Sequence, residues 1–183
     1  KTVADVSLNA IANLGYADGR FLGLVYPGDT IHASSRVIGL KETSSRQTGI
    51  VWVHSRGWKD DGSPVVDYVR WVMVRKRDPG SPAPEPIVPE LPAAVAADRL
   101  VIPSGLRATR VDSAETGSPY FFEDYVAGEK MDHVDGMGVM DSEHRLATRL
   151  YQNTAKVHFN QFAQNDSRIG RRLIYGGHII SLA

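Results

Sequence analysis

The chain has 183 residues, of which 42% are hydrophobic and 23% charged, a balance that suits a globular protein with one good core or two small ones. Lys plus Arg equals Asp plus Glu at 21 each, so no field of one sign marks nucleic acid or an anionic membrane as the main partner, although a local basic patch can still hold a phosphorylated ligand. With no cysteine, disulfide and thiolate chemistry are excluded, which fits a reducing cytoplasm, and no stretch reads as a membrane span or a signal peptide.

Residues 6–14 carry a helix-like pattern, and Gly15 is placed to end that helix. The chain starts inside this pattern without a methionine and stops in the apolar run Ile179-Ile180-Ser181-Leu182-Ala183 with no C-cap signal. Both ends therefore read as cuts inside helices of a longer chain. Tyr26-Pro27-Gly28-Asp29 is a turn signal. Three strand-like runs follow, at 30–40, 50–55 and 64–76, the last two rich in β-branched and aromatic residues. Polar connectors at 43–49 and 59–63 join them, the second containing Asp61-Gly62, so residues 1–78 predict a helix followed by a three-stranded antiparallel meander. In the third run Val65, Asp67, Val69, Trp71 and Met73 share one face while Val66, Tyr68, Arg70, Val72 and Val74 share the other. Bulk on both sides predicts a central strand.

Six prolines between Pro79 and Pro92 stiffen the next stretch, and residues 79–118 read as a linker followed by a surface-hugging segment. A second unit, 119–183, opens with an aromatic cluster at 120–125. The turn at 126–129 leads into a short strand around 130–134. Asp141 is placed to cap a helix running to about Leu150, with Leu146, Leu150 and Tyr151 on its buried side. Residues 152–172 are loop-rich with one short helix, and a final helix opens near Gly176.

Three features of this second unit carry chemistry. His158 exchanges a proton near neutral pH. Asn153 and Asn160 are amides suited to holding a water or a carbonyl. Gly176 and Gly177 sit where a helix begins, with free backbone N–H groups and no side chain in the way. Such a set suits hydration of an α,β-unsaturated thioester, which needs a base for water, an acid for Cα and donors for an enolate-like oxygen. Each feature also has a structural reading: a hydrogen-bonded histidine, a loop cap, a glycine pair for close helix packing. Arg171 and Arg172 are suited to CoA phosphates, or are simply solvated. Arg75, Lys76 and Arg77 read as a solvated strand end. His178 reads as first-turn packing, His144 as a residue on a solvated helix face, and His32, His54 and His133 as strand residues. The scattered histidines have no metal-ligand spacing, so no metal is expected.

Segments 152–158, 171–178 and 132–137, together with 6–16, 26–30 and 68–77, resemble the MaoC-type hydratase family over nearly the whole chain. The resemblance implies an α+β double hot-dog fold, in which two units, each an antiparallel sheet wrapped around a helix, pack side by side and hold the CoA arm between them. Both units would be incomplete in this chain. It implies a hydro-lyase acting on an acyl-CoA thioester, a branched C5 dicarboxylic enoyl-CoA of the mesaconyl type first, with no cofactor and room for a homodimer or higher oligomer. His158 falls on the family's catalytic histidine, Gly176 on its oxyanion glycine, and Asn153 where an aspartate is usual. Tyr175 stands in place of a common histidine. Tyr175, Gly177, Arg171, Arg172 and Asn160 become candidate substrate contacts. An amide cannot share proton work as a carboxylate does, so His158 would handle the proton nearly alone. A non-catalytic acyl-CoA-binding domain and a thioesterase remain as alternatives.

Overall fold

A computed structural model describes residues 4–102 and 117–183. A short helix, α1 (Ala4–Leu8), leads directly into a four-stranded antiparallel sheet: β1 (Ala10–Phe21), β2 (Ile31–Glu42), β3 (Thr48–Lys59) and β4 (Pro64–Arg75), in the spatial order β1-β4-β3-β2. β4 is central, as its two bulky faces predict. It pairs with β3 from Thr48↔Arg75 to Trp58↔Pro64 and with β1 from Ala10↔Val74 to Phe21↔Val66. The core of the sheet is Trp52, Val53, Val65, Val69 and Val72. The β3–β4 turn closes where Asp61 accepts the Ser63 N–H and Gly62 adopts φ +83°, a region that favours glycine.

The helix expected over residues 6–14 is overturned. It ends at Leu8, and Ile11 to Leu14 belong to a twelve-residue strand. Pairing with β4 supplies hydrogen bonds that outweigh the helical preference of Ala10, Ala12 and Leu14. Gly15 is no helix stop. A Cβ there would sit 2.3 Å from Cζ2 of Trp71, so the residue must be glycine for the indole to lie against the strand. The three-stranded meander is accordingly a four-stranded sheet.

The proline-rich stretch lies against the sheet. Leu40 and Ile87 exchange backbone hydrogen bonds of 2.9 and 2.8 Å at the β2 edge, and Arg99 meets Asp18 of β1 at 2.9 Å. Much of the segment expected to hug the surface, 103–116, lies outside the described residues.

Residues 117–140 are exposed and carry a 3-10 turn, Phe122–Asp124, with no strand at 130–134, because no partner strand lies beside them among the described residues. The turn at 126–129 does form, with Glu129 N–H donating to the Val126 carbonyl and Gly128 at φ +88°. Four helices follow: α2 (Asp141–Leu150), α3 (Lys156–Phe159), α4 (Gln161–Asn165) and α5 (Gly176–Leu182). Met140, not Asp141, occupies the N-cap of α2, and Asp141 and Glu143 lie in its first turn where the helix dipole favours acid. The buried side of α2 is also not the expected one: His144 and Thr148 are buried, while Leu146, Leu150 and Tyr151 are 60%, 70% and 69% exposed. No described helix is long and apolar enough to cross a membrane.

Candidate active site

A cleft of about 380 Å³ opens between the sheet and the segments around α3 and α5. Asn13, Tyr16, Arg70 and Val72 line it from the sheet, and Asn153, His158, Tyr175, Gly176 and Gly177 line it from the other side. Five of the sequence-predicted site residues thus share one cavity.

His158 lies on α3, a helix of four residues, too short to hold itself in place by propensity alone. Its position is fixed from outside. Leu173 N–H donates to the Val157 carbonyl at 3.0 Å, and Nδ1 of His158 lies 3.0 Å from the Leu173 carbonyl. A carbonyl only accepts, so Nδ1 carries the proton in that bond and the neutral ring keeps a lone pair on Nε2, the state a general base requires.

Tyr175 is the N-cap of α5, extended at φ −63°, ψ 126°. Its ring meets His158 edge-on, with centroids 5.6 Å apart. Burial holds the phenol above its usual pKa, with Tyr16 adding to the effect and Arg70 opposing it, so the hydroxyl stays protonated and able to donate. The same ring folds over Gly177, where a Cβ would lie 2.6 Å from Cζ. Gly176 has open space around its Cα. As the first two residues of α5, both glycines have amides with no acceptor inside the helix.

Behind this constellation sits His144, which sequence reasoning left on a solvated face. It is 1% exposed, and its Nε2 accepts the Tyr175 N–H at 2.8 Å, with the Thr148 hydroxyl 3.2 Å away. Burial, then the positive charge that His158 and His178 carry when protonated, holds its pKa below the usual histidine value. The ring therefore stays neutral, as an acceptor must. Rings of His158 and His178 lie 6.2 and 6.0 Å from it. Nothing local in the helix sequence signals this burial, because the group that buries His144 arrives 31 residues later.

The remaining candidates divide. Asn153 lines the cleft, but its Oδ1 accepts the Ala155 N–H at 3.0 Å, so its NH2 is the end that can address a ligand. Asn160 does not line the cleft. Its Oδ1 caps α4 by accepting from Ala163 at 2.9 Å. Arg172 pairs with Asp141 at 2.8 Å, tying the start of α2 to the loop before α5, while Arg171 is exposed. Arg70, which strand alternation places beside Tyr68 and Val72, reaches the cleft although the sequence reading gave it no role.

No protein-family model matches the chain. Among solved structures, a MaoC domain protein dehydratase from Chloroflexus aurantiacus superposes on 96% of the chain with a TM-score of 0.90 and 55% identity, the chain covering 50% of it. A Mycobacterium tuberculosis protein with a double hotdog fold superposes on 97% of the chain with a TM-score of 0.56 and 25% identity, 52% of it being covered. In fold and sequence the chain is thus similar to a MaoC-type dehydratase and to a double hot-dog protein. Over all 183 residues it is 61% identical to mesaconyl-CoA hydratase of Cereibacter sphaeroides and 56% identical to beta-methylmalyl-CoA dehydratase of Chloroflexus aurantiacus. It spans 52% of the length of each, about half of the curated relatives it matches.

Proposed function

We propose that the protein is a hydro-lyase that reversibly adds water to an enoyl-CoA thioester, with mesaconyl-CoA, hydrated to β-methylmalyl-CoA, as the substrate. The observation that carries this reading is the His158–Leu173 hydrogen bond. It fixes an imidazole with a basic Nε2 in a cleft that also contains two helix-start amides. The names of the two relatives support the choice of substrate.

In the proposed cycle, water held by the Asn153 NH2 gives a proton to Nε2 of His158 and adds at Cβ. Charge develops on the thioester oxygen, and the Gly176 amide stabilises it there more than in the ground state. The same imidazolium returns the proton to Cα. Atoms balance: one water enters, the C=C bond becomes C–C, one C–O and one C–H bond form. The CoA arm lies between the sheet and the α3–α5 segments, where exposed Arg171 is suited to its phosphates; Arg172, committed to Asp141, orients the loop. Homo-oligomerisation and a cytoplasmic location accompany this reading, as does a division into units at 1–78 and 119–183 joined by 79–118.

The test follows mesaconyl-CoA by enoyl-thioester absorbance with the full-length protein. His158→Ala should lower kcat by at least about 10³-fold, as expected on removing the group that carries the proton in both directions. Near-normal turnover in that variant refutes the assignment. Release of free CoA in place of hydration would point to the thioesterase reading.

A further inference from the structure

We infer that Arg70 is the carboxylate-recognition residue of the cleft and selects enoyl-CoA substrates whose acyl group ends in a free carboxylate. This deepens the hydratase reading and rests on it for the reaction, though not for the binding preference.

Arg70 sits at the middle of β4, on the face with Tyr68 and Val72, and lines the same cleft as His158, Tyr175 and Gly176. Among the described residues no acidic side chain lines that cleft, and Arg70 is the one fixed charge in it. Among the described residues no carboxylate pairs with it. The partner it does have is neutral: one terminal nitrogen donates to Oγ of Ser7 at 3.1 Å. Its Nε is buried and has no hydrogen-bond partner. Other arginines at or beside the sheet do have carboxylates next to them. Arg56 and Arg20 both converge on Asp67, and Arg99 on Asp18.

A guanidinium with an unsatisfied, desolvated donor is unfavourable unless something anionic completes it. The planar fork fits a carboxylate through two parallel hydrogen bonds. The Ser7 hydroxyl holds one arm of the fork and fixes its plane, so the group is oriented before a ligand arrives. Tyr16, which lines the cleft, lies opposite Arg70 on β1 and has its ring 6.0 Å from that of Tyr68. A dicarboxylic enoyl-CoA has one carboxyl joined to CoA and a second one free at the far end of a short chain. With the thioester at Gly176 and the double bond at His158, that free carboxylate meets Arg70. A monocarboxylic enoyl-CoA would leave the charge uncompensated in the cleft.

The experiment compares mesaconyl-CoA with crotonyl-CoA, which lacks the second carboxylate, using the full-length protein and its Arg70→Met and Arg70→Lys variants. The readout is the ratio of the two kcat/KM values, which does not depend on how much of each preparation is folded. Arg70→Met should reduce the preference for mesaconyl-CoA by at least about tenfold and up to about a hundredfold, the range for a lost charged hydrogen bond. Arg70→Lys should retain part of the preference. An unchanged ratio in Arg70→Met overturns the inference, and equal losses on both substrates do the same by assigning Arg70 a purely structural role. If the wild-type protein hydrates neither thioester, the hydratase reading fails. The affinities of both ligands for wild type and Arg70→Met, measured by calorimetry, then decide the carboxylate preference separately.

Discussion

The backbone N–H of Tyr175 donates to the buried Nε2 of His144 at 2.8 Å, which ties the residue that starts α5 to the interior of α2. Tyr175 also packs on His158 and Gly177. One side chain, just behind the cleft lining, thus sets where the helix-start amides lie relative to the imidazole.

His144→Phe should therefore keep the ring volume but lose the acceptor, leaving the Tyr175 N–H unpaired. We expect kcat to fall about tenfold and stability by about 1–2 kcal/mol, the usual range for a buried donor left without a partner. His144→Gln, whose amide oxygen accepts, should recover much of both. The pH dependence has a definite sign. The folded pKa of His144 is depressed, so its contribution is fully present above the unfolded value of 6.5 and is lost as pH falls through the folded pKa. The protection factor of the Tyr175 amide, its exchange rate relative to the unstructured chain at the same pH, should be high at neutral pH, fall below about pH 6.5, and lose that step in His144→Gln. A pH-independent protection factor in the wild type would exclude this latch.

Gly176→Pro separates the amide donor from the fold. Residue 176 is the first of α5, where proline is tolerated, and Tyr175 before it already has the extended backbone that a following proline requires. The thermal midpoint should stay close to wild type. Hydration should fall by about 10²–10³-fold if this N–H faces the developing oxyanion. An active Gly176→Pro protein would move the oxyanion role elsewhere, to Gly177 or to the Tyr175 hydroxyl.

How far these features could be read beforehand depended on where the determining contacts lie in sequence. β3 and β4 were legible because runs such as Val65-Val66 and Val72-Met73-Val74 prefer the pleated backbone on their own account. β1 was not, because Ala10 to Leu14 has a helical composition and became a strand only by pairing with β4, more than 50 positions away. The same distance rule holds at the site. His158, Gly176 and Gly177 stood out through local spacing. His144 was invisible because Tyr175, which buries it, belongs to another loop. Arg70 could be placed on the correct strand face, yet its lack of a carboxylate partner is a property of the assembled cleft.

Asp67 should govern acid stability of the sheet. It is 5% exposed on β4, accepts from His54 at 2.7 Å and from Arg56 at 2.9 Å, and has Arg20 at 3.6 Å. Burial alone would raise its pKa, but His54 and Arg56 together hold it below the usual carboxylate value. Its stabilisation is therefore complete above the unfolded pKa of 3.8 and is lost as pH falls through the lower folded value. Asp67→Asn should cost about 2 kcal/mol at neutral pH, a figure moderated by the solvent around Arg56, and should flatten the acid limb of the stability profile. Urea unfolding at pH 7 and pH 3 checks both; equal losses at the two pH values would remove Asp67 from the account.

The two walls of the cleft come from stretches of chain more than 80 residues apart, the sheet wall ending at Val72 and the opposite wall beginning at Asn153. On the roles proposed for Arg70 and His158, selection of the acyl terminus and handling of the proton would be written in separate stretches of the chain. On that reading, grafting the sheet segment from one relative onto the remainder of another would transplant ligand choice while leaving the reaction itself untouched.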